Sequence, residues 1–189
     1  ISSWDVSDGD NFSLMFHVSR SFDQNIRRWN ISDSADLTNM FSEADLMQSN
    51  QGASSTPSSN FFDSTAPTLS SSTPADNATA VATTSNIVLN FSEAVDVESG
   101  NIVIYKASDD FAVETFNVAS SGLISGSGST QITINPSNDL EEQTQYYVQI
   151  AATAFDDSAG NSYAGISDKT SISFTTVDET PPSAPSSLT

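Results

Sequence analysis

Oxygen-bearing side chains are the groups whose type and number in this chain favour binding chemistry. The 189 residues include 24 Asp and Glu against 5 Lys and Arg. Calcium takes about six to eight oxygen ligands, mainly from carboxylates and carbonyls. We therefore predict a calcium site at the ends of a β-sandwich, where a linker carboxylate and a loop carboxylate share the ion. Its candidate ligands are Asp63, Asp156, Asp157, Asn161, Asp178 and Glu179.

A second interpretation of the same loop needs no metal. The run D-D-S-A-G-N at 156–161 is typical of a turn, in which Asp and Asn bond their own backbone and Gly160 takes a positive φ. The segment Asp8-Gly9-Asp10 lacks the spacing and the closing glutamate of an EF-hand loop. Both interpretations, turn and calcium site, stay open at the level of sequence.

Hydrolytic chemistry has little support. His17 is the single histidine and cysteine is absent, which excludes a thiolate nucleophile, a thiolate zinc site and a disulfide. No G-x-S-x-G or H-E-x-x-H motif accompanies His17. A glycosidase needs two carboxyls across a cleft, whereas the adjacent acids at 109–110 and 141–142 are expected in solvated loops. The sequence predicts a protein that is not an enzyme.

The net charge of −19 limits the partners. Phosphate binding needs clustered Lys and Arg, so nucleic acid is excluded and an anionic membrane surface is disfavoured. No apolar run approaches the ~20 residues of a membrane span. Arg20, Arg27 and Arg28 hold three of the five basic residues and either pair with nearby acids or form a small anion-facing patch. Strong acidity also keeps a secreted protein soluble, with or without a bound cation.

The first quarter of the chain contains a sequence repeat, which must position the tryptophans and His17 in that segment. Trp4 and Trp29 are 25 positions apart, and this period predicts units that stack on one another. Each unit is expected to contain an extended piece, a turn and a short helix. The tryptophans are expected to stack in the core, and His17 is expected at the surface because its counterpart is Ser42. Six further pairs share the offset: Val6/Ile31, Ser7/Ser32, Asp8/Asp33, Phe12/Leu37, Met15/Met40 and Phe16/Phe41.

The motifs of this segment resemble a known family. They are W-D-V-S at 4–7, M-F at 15–16, F-D-Q-N-I at 22–26 and the second tryptophan. Residues 1–50 are similar to the leucine-rich-like surface repeats of the BspA and mycoplasma-lipoprotein type, a domain of unknown function. The resemblance implies an exported surface protein without known catalytic residues. The pattern fades after Met47, which predicts the C-terminal units of a longer array.

A change of composition separates the repeats from a β domain. Residues 51–62 are small and polar, which predicts a flexible linker or an irregular cap. From 63 to 177, short runs alternate apolar and polar residues between Gly, Ser, Asn and Asp. Ile87, Leu89 and Phe91 form one such run. This pattern predicts an antiparallel β-sandwich of about seven strands.

The β region resembles the bacterial Ig-like domains of S-layer proteins and large adhesins. The motifs are A-P-T-L at 66–69, I-V-L-N-F-S-E at 87–93, D-D-S-A-G-N at 156–161 and S-F-T-T at 173–176. The resemblance implies a non-catalytic spacer or presentation module that is sometimes stiffened by calcium. An Asp-to-Pro segment at 63–67 returns in related form at 178–182, which predicts that 178–189 begin another module, of fibronectin type III kind.

We therefore expect a mainly β chain, with an immunoglobulin-like antiparallel sandwich behind a short leucine-rich-like repeat segment that contains short helices. The function expected is that of adhesion and spacer modules in a large bacterial cell-surface or secreted protein. The alternative is an accessory region of an exported multidomain hydrolase. The expected partners are neighbouring modules of the same chain and a surface glycan or protein, and the expected location is extracellular or at the bacterial cell surface.

Overall fold

The computed structural model describes Ile1 and residues 3–180, so most of the predicted module at 178–189 lies outside the described residues. The chain divides into two compact units. The first, which we call the repeat body, consists of Ile1–Pro67 and Asp156–Ser162. The second, which we call the sheet body, consists of residues 68–155 and those from Tyr163 onward. Across the described part of the chain, no helix has the length and apolar character needed to cross a membrane.

The repeat body is built mostly of turns. It contains a helix α1 at Asp45–Asn50 and a 3₁₀ turn at Ser59–Phe61. The expected helix is absent from the first repeat, where residues 13–18 form consecutive turns. The reason lies in the backbone, because Leu14 and Val18 both have φ of 60° and interrupt any right-handed helical run. Asn39 and Glu43, 25 residues later, have φ of 53° and 57°, so the left-handed positions repeat with the sequence period.

Backbone hydrogen bonds join the two repeats into what we call the repeat ladder. Alternate N–H groups of the first repeat donate to alternate carbonyls of the second, which satisfies backbone groups that the turns themselves leave free. The donor and acceptor pairs are Phe12 to Asp36 (2.8 Å), Leu14 to Thr38 (3.1 Å), Phe16 to Met40 (2.9 Å) and Val18 to Ser42 (2.8 Å).

Aromatic and sulfur side chains fill the core of the repeat body. Trp29 is 2% exposed, and the ring of Trp4 stacks on it with centroids 6.3 Å apart and an interplanar angle of 13°. Residues beyond position 50 join the same core, so this stretch packs against the second repeat. The buried set is Phe12, Phe16, Ile26, Trp29, Ile31, Leu37, Met40, Phe41, Ala44, Met47, Ala53 and Phe62.

The sheet body contains short strands in two sheets. Among the described residues the strands are β1 Leu69–Thr73, β2 Ala78–Val81, β3 Ile87–Val97, β4 Asn101–Lys106, β5 Phe111–Asn117, β6 Ile124–Ser125, β7 Ser129–Ile134, β8 Gln145–Ile150, β9 Phe155–Asp156 and β10 Ser173–Thr176. One sheet has the order β1-β3-β7-β6, with β9 also paired to β3. The other has the order β2-β10-β8-β4-β5. The pairing of β2 with β10 is parallel.

The two sheets enclose one apolar core, and the prediction of a mainly β fold is confirmed. Ile87 and Leu89 of β3 and Ile102 and Ile104 of β4 are at most 1% exposed, as period-two alternation predicts. Ten strands occur among the described residues, where the sequence predicts about seven. The additional strands show little alternation of apolar and polar residues, because β6 and β9 have two residues each and β2 has no buried position.

Candidate functional site

The predicted calcium loop forms a turn held by a buried carboxylate. Asp157 is 5% exposed, and its Oδ1 accepts the backbone N–H groups of Ala159 and Asn161, both at 2.8 Å. Its Oδ2 accepts Nδ2 of Asn161 at 2.7 Å. Gly160 has φ of 85°, a conformation that glycine adopts without steric penalty. The side chain of Asp157 therefore does what the turn interpretation expects.

Asn161 connects this turn with the rest of the repeat body. Its Nδ2 also donates to the backbone carbonyl of Asp63 at 2.8 Å, and its Oδ1 accepts Nε of Arg28 at 3.0 Å. Asn161 is 3% exposed, so these bonds are shielded from water. Three of the six predicted site residues, Asp63, Asp157 and Asn161, are thus brought together. We call these three and Arg28 the asparagine node.

The other predicted ligands have separate surroundings. Asp156 forms an isolated bridge with Ser162 in the repeat body. Asp178 and Glu179 belong to the sheet body, where Glu179 accepts the N–H and the hydroxyl of Thr83 at 3.3 and 3.1 Å. The six predicted ligands are therefore divided between the two bodies.

The hydrogen bonds of the asparagine node limit which of its oxygen atoms can coordinate a cation. The Oδ1 of Asn161 accepts a hydrogen bond from the Arg28 guanidinium, which is permanently positive, so a calcium ion bound to that oxygen would lie beside a fixed positive charge. The carboxylate of Asp63 accepts the N–H of Thr65 at 2.8 Å and is half-buried. Each carboxylate oxygen has two lone pairs, so Asp63 and Asp157 keep some capacity to bind a cation. Of the three, Asn161 is the least suited to bind a cation, because Arg28 contacts its oxygen.

The basic residues of the repeat body make structural contacts. Arg20 forms an exposed ion pair with Glu43 at 3.1 Å. Arg27 donates to the carbonyl of Gln51, and its guanidinium carbon lies 4.3 Å from the centroid of the Phe61 ring. The contact of Arg28 with Asn161 spans 133 positions, so the sequence carried no signal for it. The three arginines thus bind acceptors in the repeat body.

His17 lies at the surface of the first repeat. It is exposed, and its Nδ1 lies 3.1 Å from the carbonyl oxygen of Ser42. Ser42 is its counterpart in the second repeat, so the contact joins equivalent positions of neighbouring units. The imidazole therefore has a structural contact along the repeat direction.

Acidic groups of the sheet body act as local anchors. Asp110 accepts from Lys169 at 2.6 Å and from the hydroxyl of Tyr147 at 3.0 Å, and these bonds lower the pKa of Asp110. Asp168 accepts the hydroxyl and N–H groups of Ser171 and Thr170, which together lower its pKa strongly. These acids stabilise turns and ion pairs on the surface.

Comparison with protein families agrees with this architecture. The family model for the bacterial Ig-like domain matches residues 63–176, which is more than half of the chain. The chain belongs to the bacterial Ig-like domain family. A second model, described as a Mycoplasma protein of unknown function, matches residues 1–71. Both resemblances drawn from the sequence motifs are confirmed, and the Ig-like match coincides with most of the sheet body.

Solved structures with a similar chain trace include three of low sequence identity. CopC from Methylosinus trichosporium OB3b has a TM-score of 0.44 and 16% identity, and the match covers 61% of this chain and 98% of CopC. The S-layer protein rSbsC has a TM-score of 0.41 and 16% identity, over 84% of this chain and 19% of that one. The N-terminal part of SbsC has a TM-score of 0.42 and 18% identity, over 77% and 31%. No curated protein matches the chain.

Proposed function

We propose that this chain is a non-catalytic part of a bacterial cell-surface or secreted protein, in which the Ig-like domain is a spacer and the repeats provide a contact surface for adhesion. The observation that carries the proposal is the match of the bacterial Ig-like family to the residues that build the two-sheet core. Membership in this family favours an extracellular or cell-surface location. Neighbouring modules of the same chain are the first partners that this arrangement needs.

The order of the strands supports an immunoglobulin-like interpretation of the sandwich. The first two strands of the sheet body lie in different sheets, because β1 pairs with β3 whereas β2 pairs with β10. The central strands β3 and β7 lie in one sheet and β4, β8 and β10 in the other. This division resembles the two-sheet arrangement of immunoglobulin domains.

The parallel pair of β2 and β10 suits a spacer that carries tension. β2 lies near the start of the sheet body and β10 near the end of its described residues, so a force between those ends shears the pair. In shear, all the hydrogen bonds of a ladder are loaded together, whereas peeling breaks them one at a time. The N–H of Val177 donates to the carbonyl of Val81 at 2.8 Å, and Glu179 holds Thr83 just beyond it.

Single-molecule pulling tests the spacer role. The chain has no cysteine, so pairs of introduced cysteines give unique attachment points. Handles at Ala75, just before β2, and Val177, just after β10, load the β2–β10 pair in shear. Handles at Asn101 and Asn117, which are opposite partners at one end of the β4–β5 pair, peel that pair apart. We expect a clearly higher unfolding force in the first geometry. Equal or lower force in the first geometry would refute the mechanical part of the proposal.

A direct search for a ligand tests the adhesive part. The full chain is applied to glycan and peptide arrays, with residues 63–180, which lack both repeats, as the control. Binding by the full chain that the control lacks assigns the contact surface to the repeats. Binding by both alike, or by neither, contradicts that assignment.

Calcium is a separate proposal for the carboxylates of Asp63 and Asp157. What supports it is the burial of Asp157 and the formal charge of −19, since a divalent cation would offset part of that charge. A ligand that binds only the folded state raises the melting temperature. We expect millimolar calcium to raise it relative to chelated protein, and the Asp157→Asn variant to reduce this rise. An unchanged melting temperature would end the proposal.

A further inference from the structure

The strands at the edges of the two sheets differ in length and in composition. The edges are β1 and β6 in one sheet and β2 and β5 in the other. β6 has two residues, and β2 has four, with a φ of 56° at Ala80 that interrupts its extended backbone. β1 has five residues, four of which are Ser or Thr. β5 has seven residues, so it is the longest edge strand among the described residues.

Large apolar side chains are exposed on β5. Phe111 is 64% exposed and Val113 is 40% exposed. In the described part of the sheet body, no other large apolar side chain reaches this exposure. A bulge contributes, because the register shift between Ile104 and Tyr105 of β4 leaves Val113 without an opposite residue. A long edge strand with exposed apolar side chains is a template for pairing with another chain.

The backbone of β5 has hydrogen-bonding groups that point away from β4. In an antiparallel pair, residues alternate between those that bond to the partner strand and those that face away from it. The N–H of Val118 donates to the carbonyl of Gly100 at 3.0 Å, which fixes this alternation. Thr115 and Asn117 therefore direct their N–H groups outward. No described residue outside β4 bonds to the N–H or the carbonyl of Thr115.

The charge of the sheet body determines which kind of strand this edge would attract. Residues 68–155 and 163–180 contain two lysines and no arginine. Both lysines form ion pairs with acids of the same body, so their charges are compensated. Asp109 lies just before β5 and Glu114 lies within it. Because opposite charges favour association and steer it, a partner strand with basic side chains suits this edge.

A second copy of the chain suits the same edge poorly. The net charge of −19 makes two copies repel each other. Antiparallel pairing of two β5 strands about their central residue would place Glu114 of one copy opposite Glu114 of the other. Like charges directly opposite each other destabilise a ladder.

We propose that the outer edge of β5 binds an extended segment of another protein, in which basic and apolar residues alternate. The segment adds a strand to the sheet, with hydrogen bonds to the N–H and the carbonyl of Thr115. Its apolar side chains pack against Phe111 and Val113, and its basic side chains compensate the charges of Asp109 and Glu114. The inference goes beyond the proposed function, because it gives a binding surface to the Ig-like domain, which that proposal treats as a spacer.

Titration of the full chain with a labelled peptide tests the proposal. The peptide has the length of β5 and alternates lysine with valine, and its binding is followed by fluorescence anisotropy. A control peptide alternates glutamate with valine. We expect the full chain to bind the lysine peptide at least about tenfold more tightly than the glutamate peptide.

Two substitutions at Thr115 separate strand addition from general attraction to an acidic surface. Thr115→Pro removes the outward N–H, at an edge position of the kind where proline is tolerated. Thr115→Val keeps the N–H and is the matched control, and neither substitution changes the charge. We expect Thr115→Pro to weaken binding of the lysine peptide at least about fivefold, and Thr115→Val to change it less than about twofold.

Amide exchange of the natural chain gives a measurement that does not depend on the folding of the proline variant. We expect a saturating concentration of the lysine peptide to slow exchange of the Thr115 amide at least about tenfold, because that N–H gains an acceptor. The amides of β1, an edge without large exposed apolar side chains, should exchange at an unchanged rate.

Four results would overturn the proposal. The first is equal binding of the two peptides, or binding of neither. The second is equal binding of the lysine peptide by folded Thr115→Pro and Thr115→Val, which would assign it to general attraction. The third is unchanged exchange of the Thr115 amide at saturation. The fourth is self-association in sedimentation that Thr115→Pro abolishes, which would assign the edge to a second copy.

Discussion

Replacing Asn161 by alanine tests the energetic role of the asparagine node. The substitution removes three side-chain hydrogen bonds, to Asp157 Oδ2 (2.7 Å), to the Asp63 carbonyl (2.8 Å) and from Arg28 Nε (3.0 Å). A hydrogen bond contributes about 1 kcal/mol net, and more when a partner is charged or left buried without a replacement. We expect the free energy of unfolding of the repeat body to fall by about 3 kcal/mol.

Urea unfolding followed by tryptophan fluorescence measures this loss. Both tryptophans belong to the repeat body, so their emission reports that body. With a denaturant slope of about 1–3 kcal/mol per molar urea, the expected loss lowers the midpoint by roughly 1–3 M. Tyrosine-excited or circular-dichroism signals of the sheet strands provide a separate measurement for the other body.

Two further variants decide whether the reasoning holds. Asn138→Ala is the control, because Asn138 is exposed and, among the described residues, its side chain donates only to the hydroxyl of its neighbour Ser137, so its effect should stay within about 0.5 kcal/mol. Asn161→Asp keeps the size but places a carboxylate against Asp157, and should destabilise at least as much as alanine. If Asn161→Ala shifts the midpoint no more than the control does, the node contributes no stability and the reasoning is refuted.

Two other predictions concern the core and the pH dependence. Trp29→Ala should lower the free energy of unfolding by about 3–5 kcal/mol in the same urea assay, because Trp29 is buried. Trp4 is exposed, so Trp4→Ala should lower it by only about 0.5–1.5 kcal/mol through the loss of ring stacking. Equal losses would contradict the burial of Trp29 beneath the first repeat. The pKa values of Asp110 and Asp168 are lowered in the folded state, so their contribution is present above the unfolded pKa of about 4 and is lost as pH falls below it. The sheet-body midpoint should therefore fall between about pH 5 and 2, and Asp168→Asn should flatten that fall; an unchanged slope would argue against this anchor.

The 25-residue period of the repeat could be identified from the sequence because it depends on local sequence alone. Trp4 and Trp29 occupy equivalent places in stacked units, and the stacking of their rings follows from the offset of 25 residues. The strand pattern was readable for a similar reason, since alternate residues of a strand must face opposite sides of a sheet. The division between repeats and strands follows from these two periods.

The backbone conformation of the repeats could not be predicted from the sequence in the same way. Leu14 and Val18 adopt left-handed φ values, although nothing in their side chains favours that conformation. The hydrogen bonds from both residues to the second repeat compensate for the strain. A backbone conformation that is stabilised by a neighbouring unit cannot be predicted from the types of the residues that adopt it.

By itself, the sequence determined the family, the repeat period, the mainly β character of residues 63–177 and the acidic surface, because composition and short-range periodicity carry that information. Tertiary structure decided the remaining points. It joined Arg28 to Asn161 across 133 positions, paired β2 with β10 in parallel, and gave the oxygens of Asp157 to its own turn. An aspartate in a D-S-A-G-N run suits a turn and a cation equally well, and the sequence alone does not show which atoms the fold brings within hydrogen-bonding distance of its carboxylate.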